Sequence, residues 1–564
     1  MLDALRAAGE PDGEAFDVLV IGGGITGVGV ALDAAARGLR TALVERDDFA
    51  SGTSSKSSKM VHGGLRYLQN GDVRLVYEAL RERRRLMRNA PHLVEVLPFM
   101  IPILTKDGVV SKKIAKALGS AMWMYDLTGG WRIGRLHKRV SGEEAARHFP
   151  TTHVDKLSAG YVYYDAGADD ARLTLTVART AAERGAVIVN RCGVVSITTD
   201  AAGAATGATV EADGERIHVP ARCIVNAAGV WADEVRALDE GTDPHSIRPA
   251  KGVHVTIPWE KVRNDIAVII PVRSDKRSLF IVPWGERPDG TFRHAYVGTT
   301  DTDSDEPLDD PQCTGDDIDY VLTALDEALT ETVTRDDITG VWAGMRPLVR
   351  SASTDGADAK TADLSRRHQV AVSESGVVRV NGGKLTTYRA MAEDTVDVVV
   401  RRLDAPHRAR RSATRRLSLF GATRRGAVEP GTASAHLLRR FGRQADEVKA
   451  LVAFDPALGE PLVPGQPYLG AEAVYAARHE MATTLDDVLV RRTRAHLFDR
   501  TATLAAAPAV AALLAEELGW DSAETERQLD RYREMCRAEE SAARRFVARD
   551  TAGAVDDHLT NATD

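Results

Sequence analysis

The alternation of apolar and polar positions divides the chain into three regions. In the first, which ends near Ala90, an apolar run over residues 16–21 leads through a glycine turn into a helix-like stretch that ends at Arg37. A second apolar run follows over residues 40–44. A strand, a helix and a second strand in this order predict a βαβ unit, so we expect an α/β, Rossmann-like fold here.

The middle region contains many short apolar segments. A helical pattern over 170–184 precedes short strands at 186–189 and 223–226, and a last strand is predicted at 377–380. Closely spaced strands are also expected at 253–257, 267–272, 278–283 and 294–297. Their close spacing predicts an antiparallel sheet. We therefore expect an α/β domain over 16–400, with an antiparallel-sheet domain interleaved at about 90–165 and 245–350.

The third region is predominantly helical in its pattern. An arginine-rich joint over 401–416 precedes it, and helices are predicted, for example, over 472–481 and 485–494. We expect a separate C-terminal α-helical domain over 417–549, followed by a flexible acidic tail over 550–564.

Composition excludes several classes of protein. The 564 residues carry a net charge of -8, which gives no sign of a nucleic-acid partner. The four cysteines lie far apart without a CxxC pair, so we expect neither a disulfide framework nor a metal site, and a cytoplasmic location. The apolar runs over 96–104 and 504–515 are short and interrupted by prolines, so no membrane-spanning helix is predicted.

The glycine turn after the first strand has the GxGxxG spacing of a dinucleotide-binding site. Gly22 permits the tight turn, Gly24 lets the backbone approach a pyrophosphate, and Gly27 lets the helix pack closely on the strand. The N-terminus of that helix then faces phosphate. Glu45 ends the second strand, where its carboxylate can accept hydrogen bonds from an adenosine ribose. The strand, the helix and the acid together make this interpretation more specific than the glycines alone.

Features outside the turn favour FAD over a nicotinamide cofactor. The chain continues into the hydroxyl-rich segment 51–59, whose backbone donors suit a second stretch of diphosphate and a ribityl chain. Two later strands also end in glycines, at Gly229 and at Gly382 with Gly383, where the chain can return to the cofactor. Contacts from such distant segments indicate one long cofactor, and hence FAD.

A series of stretches resembles the FAD-dependent, quinone-linked glycerol-3-phosphate dehydrogenase family of the aerobic type, in that family's order. They are 54–68 (SSKSSKMVHGGLRYL), 169–173 (DDARL), 226–231 (NAAGVW), 251–254 (KGVH), 298–301 (GTTD), 344–348 (GMRPL), 382–389 (GGKLTTYR), 478–481 (RHEM) and 491–494 (RRTR). The resemblance covers nearly the whole chain. It implies an FAD-binding domain of the glutathione-reductase/D-amino-acid-oxidase type, an interleaved antiparallel-sheet domain that binds the substrate, and a C-terminal helical domain.

The resemblance also implies a reaction and a set of cofactor contacts. The reaction is oxidation of sn-glycerol 3-phosphate to dihydroxyacetone phosphate, with hydride transfer from C2 to FAD and electrons passed to a membrane quinone. A homodimer and a covalent link to FAD are both left open. The implied cofactor-binding residues are Gly22, Gly24, Ile25, Thr26, Gly27, Glu45, Thr53, Ser54, Ser55, Ser58, Gly63, Gly64, Leu65, Val194, Gly229, Trp231, Gly383, Lys384, Leu385 and Thr386.

A phosphate-bearing substrate needs cations that bind its phosphate. Arg346 and Arg366 match the family's phosphate-binding arginines, whose forked guanidinium groups suit phosphate geometry. Arg367 follows directly, so the register at Arg366 stays open. Arg66 and Tyr67 match positions that line the family's substrate pocket.

The candidate catalytic residues are His254, Lys384 and Arg346. The imidazole of His254 titrates near working pH and makes it the leading candidate for the base. Lys384 follows two glycines at a predicted helix start, where its charge and the helix dipole stabilise negative charge on reduced flavin. Lys384 alternatively acts on the substrate hydroxyl, so the choice of base stays open.

Three residues near these motifs have a simpler structural interpretation. Thr386 and Thr387 fit as caps of the helix that follows Lys384, and Asp170 fits as a cap of the helix predicted over 170–184.

The stretch from Leu104 to Arg139 predicts a membrane-facing surface. It combines eight lysines and arginines with Trp123 and Trp131, and only Asp107 and Asp126 oppose them. A basic, aromatic amphipathic stretch can lie in a membrane interface. We therefore expect peripheral association with the inner face of the cell membrane, which suits a quinone as electron acceptor.

Three other functions remain as alternatives. One is a glycerol-3-phosphate oxidase that passes electrons to oxygen. A second is an FAD-dependent amine or amino-acid oxidase, against which the motifs at Gly344 and Gly382 argue. A third is a non-enzymatic flavin module, which the combination of Arg346, His254 and Lys384 disfavours.

Overall fold

The structure is a computed structural model that describes residues 1–64, 72–104, 112–272, 277–300, 302–303, 306–349, 367–404, 411–423 and 431–546. The predicted site residues Leu65, Arg66, Tyr67 and Arg366, and the tail predicted over 550–564, lie outside the described residues.

The strands of the described residues are β1 (Val18–Ile21), β2 (Thr41–Val44), β3 (Met60–Val61), β4 (Glu95–Leu104), β5 (Lys138–Ser141), β6 (Leu157–Gly167), β7 (Val187–Val189), β8 (Cys192–Thr199), β9 (Ala205–Ala212), β10 (Glu215–Pro220), β11 (Ile224–Asn226), β12 (Ile247–Pro258), β13 (Ala267–Pro271), β14 (Ser278–Glu286), β15 (Phe292–Gly298), β16 (Thr302–Asp303), β17 (Gly340–Val349), β18 (Gln369–Val372) and β19 (Val378–Asn381).

The α-helices of the same residues are Leu2–Gly9, Ile25–Ala36, Val73–Asn89, Lys112–Thr128, Gly142–His148, Asp170–Glu183, Ala232–Glu240, Gly315–Ala328, Tyr388–Arg402, Ala433–Phe441, Ala445–Phe454, Gly470–His479, Ala495–Phe498, Arg500–Leu518 and Ser522–Ala543. A π-helix spans Asp487–Thr493.

The predicted βαβ unit forms the centre of a six-stranded sheet with the order β18-β19-β11-β1-β2-β7. Its neighbouring strands are parallel except for the edge pair β18 and β19. β1 and β2 are buried along their whole length, as expected for strands covered on both faces. β1 begins at Val18, two residues later than the apolar pattern, because Phe16 makes only an isolated bridge to Ala221.

Different layers cover the two faces of this sheet. Helices Ile25–Ala36, Asp170–Glu183 and Tyr388–Arg402 share one apolar core with it. On the other side, helix Leu2–Gly9 and the antiparallel sheet β8-β9-β10 form a second core, which the sequence pattern did not predict.

A ten-stranded sheet forms the interleaved domain, with the order β16-β12-β15-β14-β13-β4-β6-β3 and with β17 and β5 paired to β12 and β6. The expectation of an antiparallel sheet holds except at one place, because β4 and β13 run parallel. Helix Gly315–Ala328 packs on this sheet through Ile318, Val321 and Leu325.

Helices between 433 and 543 build a C-terminal unit with its own apolar core. The helix predicted over 485–494 is instead a π-helix over Asp487–Thr493. Helix Arg500–Leu518 runs through Pro508, which we expected to interrupt it. Among the described residues, this helix alone is long and apolar enough to cross a membrane by length and composition. Of its apolar 18-residue stretch, 28% is buried inside the protein.

Candidate active site

The glycine turn brings the first strand and the first helix of the βαβ unit into close contact. Gly22 has a φ of +111°, which favours glycine. A Cβ on Gly27 would lie 1.9 Å from the carbonyl oxygen of Gly22, so only glycine fits. At the helix start, the N–H of Ile25 donates to Ser54 Oγ at 2.9 Å. The turn therefore has the close packing that its spacing predicted.

The carboxylate of Glu45 braces this turn from the end of β2. Its Oε2 accepts from the N–H of Gly23 at 2.6 Å, and its Oε1 accepts from the N–H of Asp47 at 2.9 Å. Burial raises the pKa of Glu45, and the two backbone donors oppose that shift. The remaining lone pairs of a carboxylate can accept from ribose hydroxyls.

A cavity of about 260 Å³ extends from this turn past the ends of several strands. The predicted cofactor residues that line it are Gly22, Gly24, Ile25, Thr26, Glu45, Thr53, Ser54, Val194, Gly229, Trp231, Gly383, Lys384 and Leu385. Ser51 and Gly52, in the hydroxyl-rich segment predicted to approach the cofactor, also line it. Further lining residues were not predicted as cofactor contacts, among them Arg46, Cys192, Gly193, Glu234, Leu238 and Pro347. Arg46 directly follows the predicted Glu45, and Pro347 lies in the 344–348 motif, whereas no sequence signal marked Leu238.

The residues that line the cavity suit an extended dinucleotide such as FAD. A helix N-terminus and an acidic residue lie at one end, at Ile25 and Glu45, and Lys384 with Leu385 lies on the wall formed by a distant part of the chain. Trp231 lines the cavity, and its buried Nε1 has no hydrogen-bond partner within the described part of the chain, so it offers a donor to a ligand.

Among the described residues, six predicted cofactor residues do not line this cavity, namely Gly27, Ser55, Ser58, Gly63, Gly64 and Thr386. Ser55 is a buried residue of a short 3-10 turn. The N–H of Gly63 donates to Asp165 Oδ1 at 3.1 Å, and Gly64 has a φ of +77°. Thr386 Oγ1 accepts from the N–H of His62 at 3.1 Å.

His254 lies buried on β12, where it meets the hydroxyl-rich segment. Its Nε2 is 2.8 Å from Ser58 Oγ, and its ring stacks on Trp342 with centroids 4.7 Å apart. A Cβ on Gly298 would lie 2.2 Å from the imidazole, so glycine makes room for the ring. Burial lowers the pKa of His254 well below 6.5, and the charges of Lys59 and Arg346 lower it further. The imidazole is therefore neutral at neutral pH.

Arg346 extends from β17 towards the same region. It pairs in register with Ala250, and its Nη2 donates to Thr299 Oγ1 and to the carbonyl of Thr300, both at 2.9 Å. A Cβ at Gly252 would lie 2.5 Å from this guanidinium, so a larger residue at this position would collide with Arg346. The next residue, Pro347, lines the cavity, so β17 runs along the cofactor site.

Lys384 lies on the cavity wall, and a 3-10 turn over Leu385–Thr387 separates it from helix Tyr388–Arg402. The expectation that Thr386 and Thr387 cap this helix holds only for the position of Thr387, which is the N-cap residue but makes no side-chain capping hydrogen bond. Thr386 binds the backbone of His62 instead, and Thr387 Oγ1 donates back to the carbonyl of Lys384.

Asp170 does not cap its helix either. The cap is Asp169, whose side chain accepts from the N–H of Arg172. The carboxylate of Asp170 is fully buried and instead accepts from Ser57 and Lys59, in the segment that precedes β3.

Comparison with known proteins agrees with this geometry. Residues 17–398 match the family described as FAD dependent oxidoreductase, and residues 412–525 match the C-terminal domain of alpha-glycerophosphate oxidase. Glycerol-3-phosphate dehydrogenase 2 of Mycobacterium tuberculosis is 41% identical over 540 residues, covering 93% of this chain and 89% of that protein. Mitochondrial glycerol-3-phosphate dehydrogenase of Homo sapiens is 36% identical over 553 residues, covering 92% and 73%.

Solved structures have the same fold. Glycerol-3-phosphate dehydrogenase from Bacillus halodurans, complexed with FAD, superposes with a TM-score of 0.73 at 28% identity, covering 96% of this chain and 97% of that one. L-alpha-Glycerophosphate Oxidase from Mycoplasma pneumoniae, with FAD bound, shares the fold at a TM-score of 0.53 and 17% identity, covering 68% of this chain and 95% of that one.

The fold and the cavity define an FAD-dependent oxidoreductase. The chain belongs to the FAD-dependent glycerol-3-phosphate dehydrogenase family, as the sequence motifs indicated, and FAD is its cofactor.

Proposed function

We propose that this enzyme oxidises sn-glycerol 3-phosphate to dihydroxyacetone phosphate. The observation that carries the proposal is the grouping of a neutral His254, the Ser58 hydroxyl and the Arg346 cation, with Arg346 on the strand whose next residue, Pro347, lines the cavity. The names of relatives up to 41% identical over nearly the whole chain support the choice of substrate.

The chemistry divides between the cofactor and the protein. FAD, when bound, supplies the acceptor for the hydride that leaves C2 of the substrate. A neutral imidazole at His254 takes the proton of the C2 hydroxyl, so that the C2–O bond becomes a carbonyl as the C–H bond breaks. Ser58 holds the ring through Nε2 while this proton is transferred.

Positive charge surrounds the reacting groups. Arg346 lies close enough to His254 to lower the pKa of that histidine, and its charge suits a substrate that carries a phosphate dianion. Lys384 on the cavity wall places a cation beside the cofactor, where it stabilises negative charge after reduction. Arg66, Tyr67 and Arg366 stay predictions of the resemblance as further substrate-binding residues.

We further propose a membrane quinone as the final electron acceptor, with the enzyme bound peripherally to the inner face of the cell membrane. The stretch singled out in the sequence exposes a cluster of large apolar side chains, with Leu127 78%, Trp123 56% and Trp131 53% exposed. Exposed cations at Arg135 and Arg139 adjoin it. Apolar side chains next to basic groups are typical of a surface that binds anionic bilayers.

A substrate panel tests the proposed reaction. Under anaerobic conditions, sn-glycerol 3-phosphate should bleach the flavin absorbance, whereas glycerol, glycine and D-alanine should leave it unchanged. Bleaching by an amino acid but not by the phosphate ester would identify an amino-acid oxidase instead. In air, a full equivalent of hydrogen peroxide per turnover, undiminished by a soluble quinone analogue, would identify an oxidase.

A further inference from the structure

Two motifs of the sequence lie outside the reaction described so far, and they meet in the structure. Asp170, in the motif at 169–173, and Arg494, in the motif at 491–494, are 324 residues apart in sequence. Both side chains are buried, and Arg494 Nη2 donates to Asp170 Oδ1. The arginine belongs to the C-terminal domain and the aspartate to the FAD-binding domain, so the ion pair crosses the boundary between them.

The carboxylate of Asp170 also holds the segment that precedes β3. Its Oδ2 accepts from the backbone N–H and the hydroxyl of Ser57, at 3.0 Å and 2.7 Å. Its Oδ1 accepts from Lys59 Nζ at 3.2 Å. The backbone N–H of Lys59 in turn donates to Ser57 Oγ at 3.0 Å. Bonds from one buried carboxylate to two residues thus fix the residue between them, Ser58.

The sheet domain holds the same segment from its other side. Tyr296 donates its hydroxyl to the carbonyl of Ser58 at 3.0 Å, and Trp342 donates its Nε1 to the carbonyl of Ser57 at 3.2 Å. Ser58 Oγ then lies 2.8 Å from Nε2 of His254, whose ring stacks on Trp342. His254 Nδ1 has no hydrogen-bond partner within the described part of the chain, so Ser58 is the hydrogen bond that sets the tautomer of this ring.

We propose that the Asp170–Arg494 ion pair is the positioning element of His254. The C-terminal domain, through Arg494, orients the carboxylate of Asp170. That carboxylate fixes Ser57 and Lys59 so that the Ser58 hydroxyl holds one orientation and one tautomer of the imidazole. The inference rests on the proposed role of His254 in substrate oxidation. Displacing a reacting group by about 1 Å can slow an enzymatic step about 10²-fold, so a distant ion pair can control the rate.

The test measures the imidazole directly as well as the reaction. In protein with ¹⁵N-labelled histidine, the NMR signals of His254 are identified as those that disappear in a His254→Gln variant. Their chemical shifts report the tautomer of His254 in the absence of substrate. Anaerobic stopped-flow reduction of the flavin by sn-glycerol 3-phosphate gives the rate constant of reduction and the substrate Kd separately. The variants are Arg494→Met, Arg494→Lys, Ser57→Ala and Ser58→Ala.

We expect Arg494→Met and Ser57→Ala to shift the His254 signals and to slow flavin reduction about 10–100-fold with little change in substrate Kd. Arg494→Lys should recover part of the rate, because it keeps the charge beside Asp170. Adding Arg494→Met to Ser58→Ala should slow the reaction no further, because both changes break the same chain of contacts.

Arg492→Met is the matched control. Arg492 lies two residues before Arg494 and joins the same two domains through a buried pair with Asp48, at 2.7 Å and 2.8 Å. Its guanidinium also donates to the carbonyl of Glu480, whereas that of Arg494 donates to Asp170. It should lower the melting temperature and leave the His254 signals and the reduction rate unchanged.

The outcomes separate this inference from the proposed function. His254 signals that stay unchanged in Ser57→Ala and Arg494→Met overturn the inference, as does an equal change in Arg492→Met. If the substrate does not reduce the flavin of the wild-type enzyme, the proposed function is rejected. The ¹⁵N signals still show in that case whether the Asp170–Arg494 ion pair positions His254. If Arg494→Met does not retain FAD, Arg494→Lys and Ser57→Ala decide together, since both keep a positive charge beside Asp170.

Discussion

At the residue scale, the chemistry centres on a histidine that its surroundings keep neutral. Burial is the largest cause of the lowered pKa of His254, and the positive charges of Lys59 and Arg346 act in the same direction. A neutral imidazole can accept a proton, whereas a protonated one cannot. The positive charge of Arg346, which suits an anionic substrate, therefore also helps to keep the base in its reactive form.

Replacing His254 by Gln should slow flavin reduction by sn-glycerol 3-phosphate by about 10²–10⁴-fold, the usual contribution of a general base. FAD binding should persist, because His254 does not line the cofactor cavity. Stopped-flow absorbance measures the rate, and the flavin spectrum of the purified variant is the control. A rate within a factor of about three of wild type would remove His254 from the chemistry and leave Lys384 as the candidate base.

The pH dependence of the reaction follows from the same surroundings. The pKa of His254 in the folded enzyme lies below 6.5, so protonation should inactivate the base only as the pH falls well below that value. The rate of flavin reduction should therefore show no acid limb at or above pH 6.5. An acid limb at pH 6.5 or higher that disappears in His254→Gln would show that the ring is not desolvated as the structure indicates.

At the element scale, the exposed face near helix Lys112–Thr128 is unusual for a water-soluble surface. Leu127, Trp123 and Trp131 are each more than half exposed, next to basic side chains. Single exposed apolar residues are common, but a group of several large ones marks a binding surface.

We expect the enzyme to co-sediment with anionic vesicles at low salt and not with neutral ones. Leu127→Ser should weaken this binding about tenfold, since burying a leucine contributes about 1.5–3 kcal/mol. Phe454→Ser is the control, because Phe454 is 91% exposed in a helix of the C-terminal domain. Equal binding by both variants, or none by the wild type, would refute the proposed membrane surface.

Local signals made part of the fold predictable. β1 and β2 are buried on both faces and appear as continuous apolar runs, and the glycine turn between them has a fixed spacing. Helix Leu2–Gly9 and the sheet β8-β9-β10 escaped prediction because they are stabilised by packing on the central sheet rather than by strong patterns of their own. Pro508 fits inside a helix because Ala507, Val510 and Ala511 around it pack into the C-terminal core.

The same distinction applies to the site. Gly22, Gly24 and Glu45 were predictable because their roles depend on neighbours within about 25 residues of sequence. The pairing of Ser57 with Asp170, 113 residues apart, and the stacking of His254 on Trp342 depend on tertiary structure, which spacing does not report. For the same reason, Asp170 was interpreted as a helix cap.

At the scale of the whole molecule, buried ion pairs connect the C-terminal domain to the rest of the enzyme and to its own last helix. His496 lies between Tyr532 and Glu539 of that last helix, with Nε2 3.0 Å from the Glu539 carboxylate. Burial opposes protonation of His496, but Glu539 outweighs it and raises the pKa of His496 to about 10.

The pair makes stability depend on pH. Because the pKa of His496 is about 10 in the folded state and about 6.5 in an unfolded chain, its contribution is complete below pH 6.5 and is lost as the pH rises through about 10. Glu539→Gln should lower stability by about 1.5–3 kcal/mol at pH 6.5, and the difference from wild type should shrink towards pH 10. Melting temperatures of wild type and variant between pH 6.5 and pH 10 measure this difference. Glu540→Gln is the control, because Glu540 is more exposed than Glu539. A difference that does not vary with pH would contradict the charged His496.

The central claim is that bound FAD and the residues around His254 oxidise sn-glycerol 3-phosphate. The most direct measurement is anaerobic titration of the purified holoenzyme with this substrate, with flavin absorbance and product followed together. We predict complete bleaching, with one dihydroxyacetone phosphate formed for each FAD reduced. A flavin that stays oxidised at millimolar substrate, while dithionite still reduces it, would contradict the claim.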